Sequence, residues 1–244
     1  MKTALITGGT SGIGLAAAEI FLAHDFNVAI VGRNIARGRK ALETLGDSDR
    51  RVFFIAADVS NVADCGRIIA ETLARFNRLD ALVNSAGIYA EGDIRSVDEN
   101  LFERIINTNV KGTFFMCRAA VDELSKTRGS IVNVASDAGV RGNYFCSLYS
   151  ASKGAVVMLT KSLALELAHI PVRVNAVAPG DVLTPMTSEQ LKRSGETLDA
   201  LASIYPMKRI ATAEEVAESI YFLASEKAGF ITGTVLGVDG GLTA

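Results

Sequence analysis

The feature that most constrains this chain is a join near its start. The apolar run TALIT at residues 3–7 passes without a break into GGTSGIG, and a helical pattern begins at about Gly12. Glycine lets the backbone turn tightly and approach a neighbour, and the unpaired N–H groups of a helix start face whatever lies there. A strand turning this sharply into a helix is the opening of a βαβ unit. The rest of the chain keeps the same rhythm. Short runs rich in Val, Ile and Ala at 27–31, 52–56, 81–84, 130–134, 173–177 and 234–238 alternate with helical patterns near 12–24, 34–45, 61–76, 98–123, 148–168 and 212–224. Strands with almost no polar residues need cover on both faces, so the pattern predicts an α/β fold around a seven-stranded, mainly parallel sheet. The stretch 181–210 departs from it, with Pro185, Pro206, mixed charge and weak helical period. Such a segment between core elements reads as a lid over a substrate site.

Composition limits the company this fold keeps. A chain of 244 residues, 49% of them hydrophobic, fills one large core, so 1–244 is expected to be a single domain. Its 25 Lys and Arg against 27 Asp and Glu give no electrostatic case for nucleic acid or an anionic membrane. No apolar stretch approaches the roughly 18 residues of a membrane span, and the first residues do not form a secretory signal. Cys65, Cys117 and Cys146 are odd in number and widely spaced, which suits reduced thiols and not zinc. A soluble, cytoplasmic protein is expected. His24 and His169 lie at predicted helix ends, in solvated or capping positions, and no metal site is expected.

The glycine loop, in this βαβ context, suits a pyrophosphate seated at a helix N-terminus. Gly8, Thr10, Ser11, Gly12, Ile13 and Gly14 would form that cradle. The second strand then bears on which dinucleotide. A site for NAD usually ends that strand with Asp or Glu, to bind the ribose hydroxyls. Here VAIV ends in Gly32-Arg33-Asn34, without an acid. A guanidinium at Arg33 is suited to stacking on adenine and pairing with a 2′-phosphate. NADP(H) is therefore the expected cofactor, with NAD(H) as the alternative.

YSASK at 149–153 puts a phenol and an ammonium four residues apart, on one helical face. A lysine charge beside tyrosine favours the phenolate and lowers its pKa from about 10. That makes Tyr149 a candidate acid–base for a carbonyl or hydroxyl oxygen.

With these motifs in place, the whole chain resembles the short-chain dehydrogenase/reductase family. TGGTSGIG resembles the family's TGxxxGxG, and Asp58-Val59 its adenine-contacting pair. NSAG, with Asn84, Ala86 and Gly87, resembles NNAG, although Ser85 replaces the second asparagine. Asn109 matches the helix asparagine, Ser136 the catalytic serine, and YSASK the tyrosine and lysine. PGDVLT, with Pro179, Gly180, Val182 and Thr184, resembles the nicotinamide loop, and TGTVLGVDGG the closing strand. The resemblance implies one doubly wound Rossmann domain and hydride transfer between nicotinamide and a carbonyl or secondary alcohol. It also implies roles. Ser136 holds the substrate oxygen and Tyr149 exchanges its proton. Lys153 binds the nicotinamide ribose and lowers the tyrosine pKa, and Asn109 holds a water leading to solvent.

The substrate pocket is expected to include Ser136, Asp137, Val140, Asn143, Tyr144, Phe145, Asp181 and Met186. Asp181 either binds a substrate hydroxyl or caps the next turn. The 3-oxoacyl-(acyl-carrier-protein) reductases of the family look most similar overall. They commonly have small residues where Tyr144 and Phe145 stand, and a basic residue where Ile170 and Pro171 stand, for which Arg128 is a partial substitute. A small ketone, sugar or polyol therefore ranks above the carrier-bound substrate. A non-catalytic dinucleotide sensor is the remote alternative, disfavoured because Ser136, Tyr149 and Lys153 are all present. The apolar helix 155–168 has more than one apolar face, and the family pairs this helix across a dimer axis. A homodimer or homotetramer is expected.

Overall fold

A computed structural model describes residues 1–46 and 50–244. The strands are β1 (Thr3–Thr7), β2 (Asn27–Gly32), β3 (Val52–Ala56), β4 (Ala81–Asn84), β5 (Ser130–Val134), β6 (Arg173–Pro179) and β7 (Val235–Val238). They form one sheet in the order β3-β2-β1-β4-β5-β6-β7, and every pairing is parallel. The expectation of a mainly parallel sheet is thus met by a wholly parallel one. The chain winds outward from β1 through β2 to β3, then crosses back to place β4 on the other side of β1. That reversal opens a crevice at the carboxyl ends of β1 and β4, where open α/β sheets bind ligands.

Alternation along each strand sorts side chains onto two faces. In β1, Ala4 and Ile6 join a core with α1 (Gly12–Ala23), α2 (Ile35–Leu45) and the last long helix, while Leu5 joins the opposite core. Phe21 of α1 is fully buried and packs edge-on against Phe26 and Tyr221. His24, at the end of α1, stacks flat on Tyr221 at 4.0 Å, so its ring has a packing role as well as a terminal position. The second core holds α3 (Val62–Phe76), with Cys65, Ile68 and Ile69, and the helices over β4 and β5.

The pattern 98–123 predicts one helix, and the structure breaks it into three parts. α4 (Glu99–Ile105) leads into a π-helical segment, Ile106–Gly112, and then α5 (Thr113–Thr127). π turns of this kind are rare and cluster at functional sites. α6 (Ser147–Glu166) runs close to its expected span and carries YSASK in its first two turns. The stretch 181–210 holds two short helices, α7 (Pro185–Ser194) and α8 (Leu198–Ser203), and is followed by α9 (Ala213–Ala224). Thr212 and Glu215 close a reciprocal capping box at the start of α9.

Candidate active site

A cavity of about 510 Å³ lies at the crevice between β1 and β4 and runs beneath α7 and α8. Its walls include most of the expected residues. Gly8, Thr10, Ser11, Gly12 and Ile13 line one end together with Arg33, Asp58 and Val59. Ala86, Gly87, Pro179, Gly180, Val182 and Thr184 line the middle, beside Ser136, Tyr149 and Lys153. Asp137, Asn143, Tyr144, Asp181 and Met186 line the far end.

At the first end, α1 starts with Ser11 in an extended conformation and no side-chain cap, which leaves its first N–H groups facing the cavity wall. Gly14 stands behind that wall. A Cβ there would lie 2.4 Å from the Gly8 carbonyl oxygen, so its glycine serves helix–loop packing. These features fit a bound pyrophosphate: exposed helix N–H groups and a loop of small residues at the crevice. Arg33 follows β2 and lies 3.7 Å from Asp58. Asn34 accepts a hydrogen bond from the Arg37 backbone N–H at 2.9 Å, capping α2 and setting Arg37 in its first turn. Arg37 lines the cavity beside Arg33, a second cation the sequence reading missed.

Asn84 and Asn109 stand back from the cavity wall and hold its frame. Asn84 Nδ2 donates to Asn133 Oδ1 at 2.9 Å, tying β4 to β5 where the two residues pair in register. Asn109 lies within the π-helical segment. Its Oδ1 accepts from the Ile88 backbone N–H at 2.9 Å, and its Nδ2 donates to the Ile88 carbonyl at 3.0 Å and Ser152 Oγ at 3.1 Å. The side chain thus fastens the 85–88 loop to α6.

Ser136 ends the β5 loop; its hydroxyl accepts from the Ala138 N–H and donates to Asp137 Oδ1 at 2.9 Å. Tyr149 meets the edge of Tyr89, their ring centroids 4.9 Å apart. Lys153 Nζ lies 5.7 Å from the Tyr149 ring centroid, but it donates to the Val134 carbonyl at 2.8 Å. The expected lowering of the phenol pKa is therefore corrected. Burial raises the Tyr149 phenol, a hydrogen bond with Ser136 opposes the rise, and Asp137, Cys146 and Asp181 add to it. Burial also pushes the Lys153 ammonium down to about 8. The two groups are neighbours, yet the backbone carbonyl takes the ammonium's hydrogen bond.

Asp181 does not cap the next turn with its side chain; it is tied to Tyr205. Its backbone N–H donates to the Tyr205 hydroxyl at 2.6 Å, and that hydroxyl donates to Asp181 Oδ2 at 2.7 Å. Tyr205 follows α8, is 3% exposed, and was not singled out from sequence. Phe145 is corrected too: it sits outside the cavity lining, 62% exposed with φ of 54°, while its carbonyl accepts from the Gly92 N–H. Val140 also lies outside that lining. Among the described residues there is no group of three or more His, Cys, Asp or Glu that could hold a metal ion.

The crevice, the glycine loop and the Ser136, Tyr149 and Lys153 grouping define an NAD(P)-binding oxidoreductase fold of the Rossmann type. The chain belongs to the short-chain dehydrogenase/reductase family: a family model described as enoyl-(acyl carrier protein) reductase matches residues 8–243. An uncharacterized oxidoreductase of Thermotoga maritima is 39% identical over 247 residues, covering 100% of this chain and 98% of the relative. A 3-oxoacyl-(acyl-carrier-protein) reductase of Chlamydia trachomatis is 36% identical over 246 residues, covering 99% and 97%. The solved structure of ElxO with NADP bound superposes with a TM-score of 0.92 at 38% identity, covering 99% of this chain and 98% of that one. The protein is an oxidoreductase of this family, whose members act on alcohol and ketone groups.

Proposed function

We propose that this chain is an NADP(H)-dependent reductase or dehydrogenase of a small ketone, sugar or polyol. The observation that carries the cofactor choice is the pair Arg33 and Arg37 at one cavity end, with no carboxylate closing β2. Two guanidiniums there suit a 2′-phosphate, which NAD lacks. The NADP-bound ElxO structure supports the same reading. In this reading 1–244 is one domain, 181–210 is its lid, and Gly8, Thr10, Ser11, Gly12, Ile13, Asp58, Val59, Ala86, Gly87, Pro179, Gly180, Val182 and Thr184 hold the cofactor.

The bound nicotinamide supplies or accepts the hydride. The chain's own residues manage the oxygen. The Ser136 O–H, turning from Asp137 to the substrate oxygen, donates to it and fixes its direction. Burial favours the protonated Tyr149, which suits it to give its phenolic proton to that oxygen in reduction; in oxidation it must first lose that proton to solvent before it takes the alcohol's. Lys153 holds its position through the Val134 carbonyl and presents its remaining donors to the ribose hydroxyls. Asn109 keeps the 85–88 loop and α6 at fixed separation. Exposed Met158 and Leu165 on α6 support assembly into a homodimer or homotetramer, and a cytoplasmic location belongs to the same proposal.

The alternative substrate is an acyl chain on a carrier protein, as the name of the Chlamydia trachomatis relative indicates for that protein. The bulky Tyr144, 92% exposed at the cavity mouth, weighs against it. The test is a carbonyl and alcohol turnover screen with NADPH and NADH, run beside Tyr149→Phe. That variant keeps the ring packed on Tyr89, so cofactor affinity should hold while turnover falls by about 10²–10⁴. Near-normal turnover in Tyr149→Phe would remove Tyr149 from the chemistry. An inert wild type with both cofactors would remove the oxidoreductase assignment of this pocket.

A further inference from the structure

We propose that Asp181 selects the substrate, accepting a hydrogen bond from a hydroxyl or ammonium group close to the reacting carbon. This rests on the oxidoreductase reading above and narrows it to substrates such as 1,2-diols and 1,2-amino alcohols.

Four observations support it. Asp181 lines the same cavity as Ser136 and Tyr149, and it directly follows Gly180, which lines it too. It is also held in one orientation. The Tyr205 hydroxyl accepts from its N–H and donates to Oδ2, and the Tyr205 ring packs so tightly on Gly180 that a Cβ there would lie 2.7 Å away. A carboxylate fixed from behind in this way is preorganised to bind with its other oxygen. That oxygen, Oδ1, has no donor among the described residues.

The fourth observation is the charge around it. Asp137, Glu91 and Glu196 all line the same cavity and all push the Asp181 carboxyl up. The cations nearest this end are already engaged. Arg141 lies 3.5 Å from Asp137, and Lys153 donates to Val134. A substrate carrying its own carboxylate, sulfonate or phosphate near the reacting carbon would meet net negative charge at short range. One carrying a donor would instead satisfy Oδ1 and offset the cost of burying Asp181.

The experiment compares kcat/KM for four alcohols of similar size: butan-2-ol, butane-2,3-diol, 3-aminobutan-2-ol and 3-hydroxybutanoate. Wild type should favour the diol or the amino alcohol over butan-2-ol by about tenfold or more, as a charge-assisted hydrogen bond would give. It should place 3-hydroxybutanoate last. The diol leading marks a neutral polyol substrate; the amino alcohol leading marks a cationic one. Asp181→Asn should cut the diol-to-butan-2-ol ratio by about tenfold, mainly through KM. Saturation-transfer NMR of the diol on the unreacted protein should lose its signal in parallel. Tyr205→Phe keeps the ring and removes only the tether, so it should lower the ratio too. It carries the test if Asp181→Asn does not fold. Preference for butan-2-ol or 3-hydroxybutanoate, or an unchanged ratio in both variants with turnover intact, overturns the proposal alone. Inertness of the whole panel with both cofactors removes the oxidoreductase reading and this one together.

Discussion

Removing the Arg33 guanidinium should separate the two cofactors. A charge-assisted hydrogen bond contributes about 1.5–3 kcal/mol. The Arg33 side chain is 63% exposed, so solvent screening favours the lower figure, about 1.5 kcal/mol or roughly tenfold in affinity. Arg37 is exposed on the same wall, and its loss alone should cost NADPH a similar factor. Because both would reach one phosphate, the double variant should fall short of the roughly hundredfold product. NADH has no phosphate at that position and should lose no more than about twofold, from weaker stacking on adenine. The lost Arg33–Asp58 contact, exposed and 3.7 Å long, should leave the melting temperature unchanged. The assay is fluorescence titration of both reduced cofactors into wild type, Arg33→Ala, Arg37→Ala and the double variant, at low and moderate salt. Discrimination should shrink with each substitution and with salt. Equal losses for NADPH and NADH, or a wild type that prefers NADH, would refute the reasoning.

Two further outcomes follow from burial. Lys153 titrates at about 8 in the fold and near 10.4 when unfolded, so the unfolded chain binds more protons between those values and stability rises with pH across that window. Below pH 8 the penalty, about 3 kcal/mol less about 1 for the bond to Val134, is fully present, so Lys153→Met should be more stable than wild type at pH 7. Denaturant titrations should show that advantage fading by pH 10.5; a constant difference would contradict it. Cys65, Cys117 and Cys146 are buried and unpaired, with burial raising the first two thiols to about 11 and about 12. A thiol-reactive chromophore should react slowly with folded protein and count three thiols in denaturant; fewer would indicate a pairing the fold does not contain.

The sheet was legible because its strands are continuous apolar runs, and the glycine loop because its sequence is tied to one backbone shape. The break in 98–123 was not. A hydrophobic pattern registers the 3.6-residue period on either side, and one extra residue in the Ile106–Gly112 segment barely disturbs it. Arg37 was not singled out, although Asn34 three residues before it is a capping residue type that would place it in the first turn of α2. Tyr205 could not be found, since its partner Asp181 is 24 residues away and they meet only when the stretch 181–210 folds. The Tyr149–Lys153 pairing was legible as a spacing, whereas the claim of Val134 on the ammonium belongs to a different element and appears only in three dimensions. Phe145 looked like a pocket residue by position alone. Its left-handed backbone turns the side chain away.

The π-helical segment has one more consequence. Seven residues there follow a wider winding than an α-helix, so α5 starts out of step with α4 by about the 100° that one residue subtends. The segment acts as a frame-shift written into the helix, with Asn109 at its centre. Deleting any one of residues 106–112 would let the ordinary ladder close and bring the two helices into phase. The repaired helix would be more regular, and it would fail as part of this protein. Met116, Cys117 and Ala120 would stay in the core they now fill, since the shorter helix brings them round to the same angle, while Asn109 would lose the widened turn that sets it against Ile88 and Ser152.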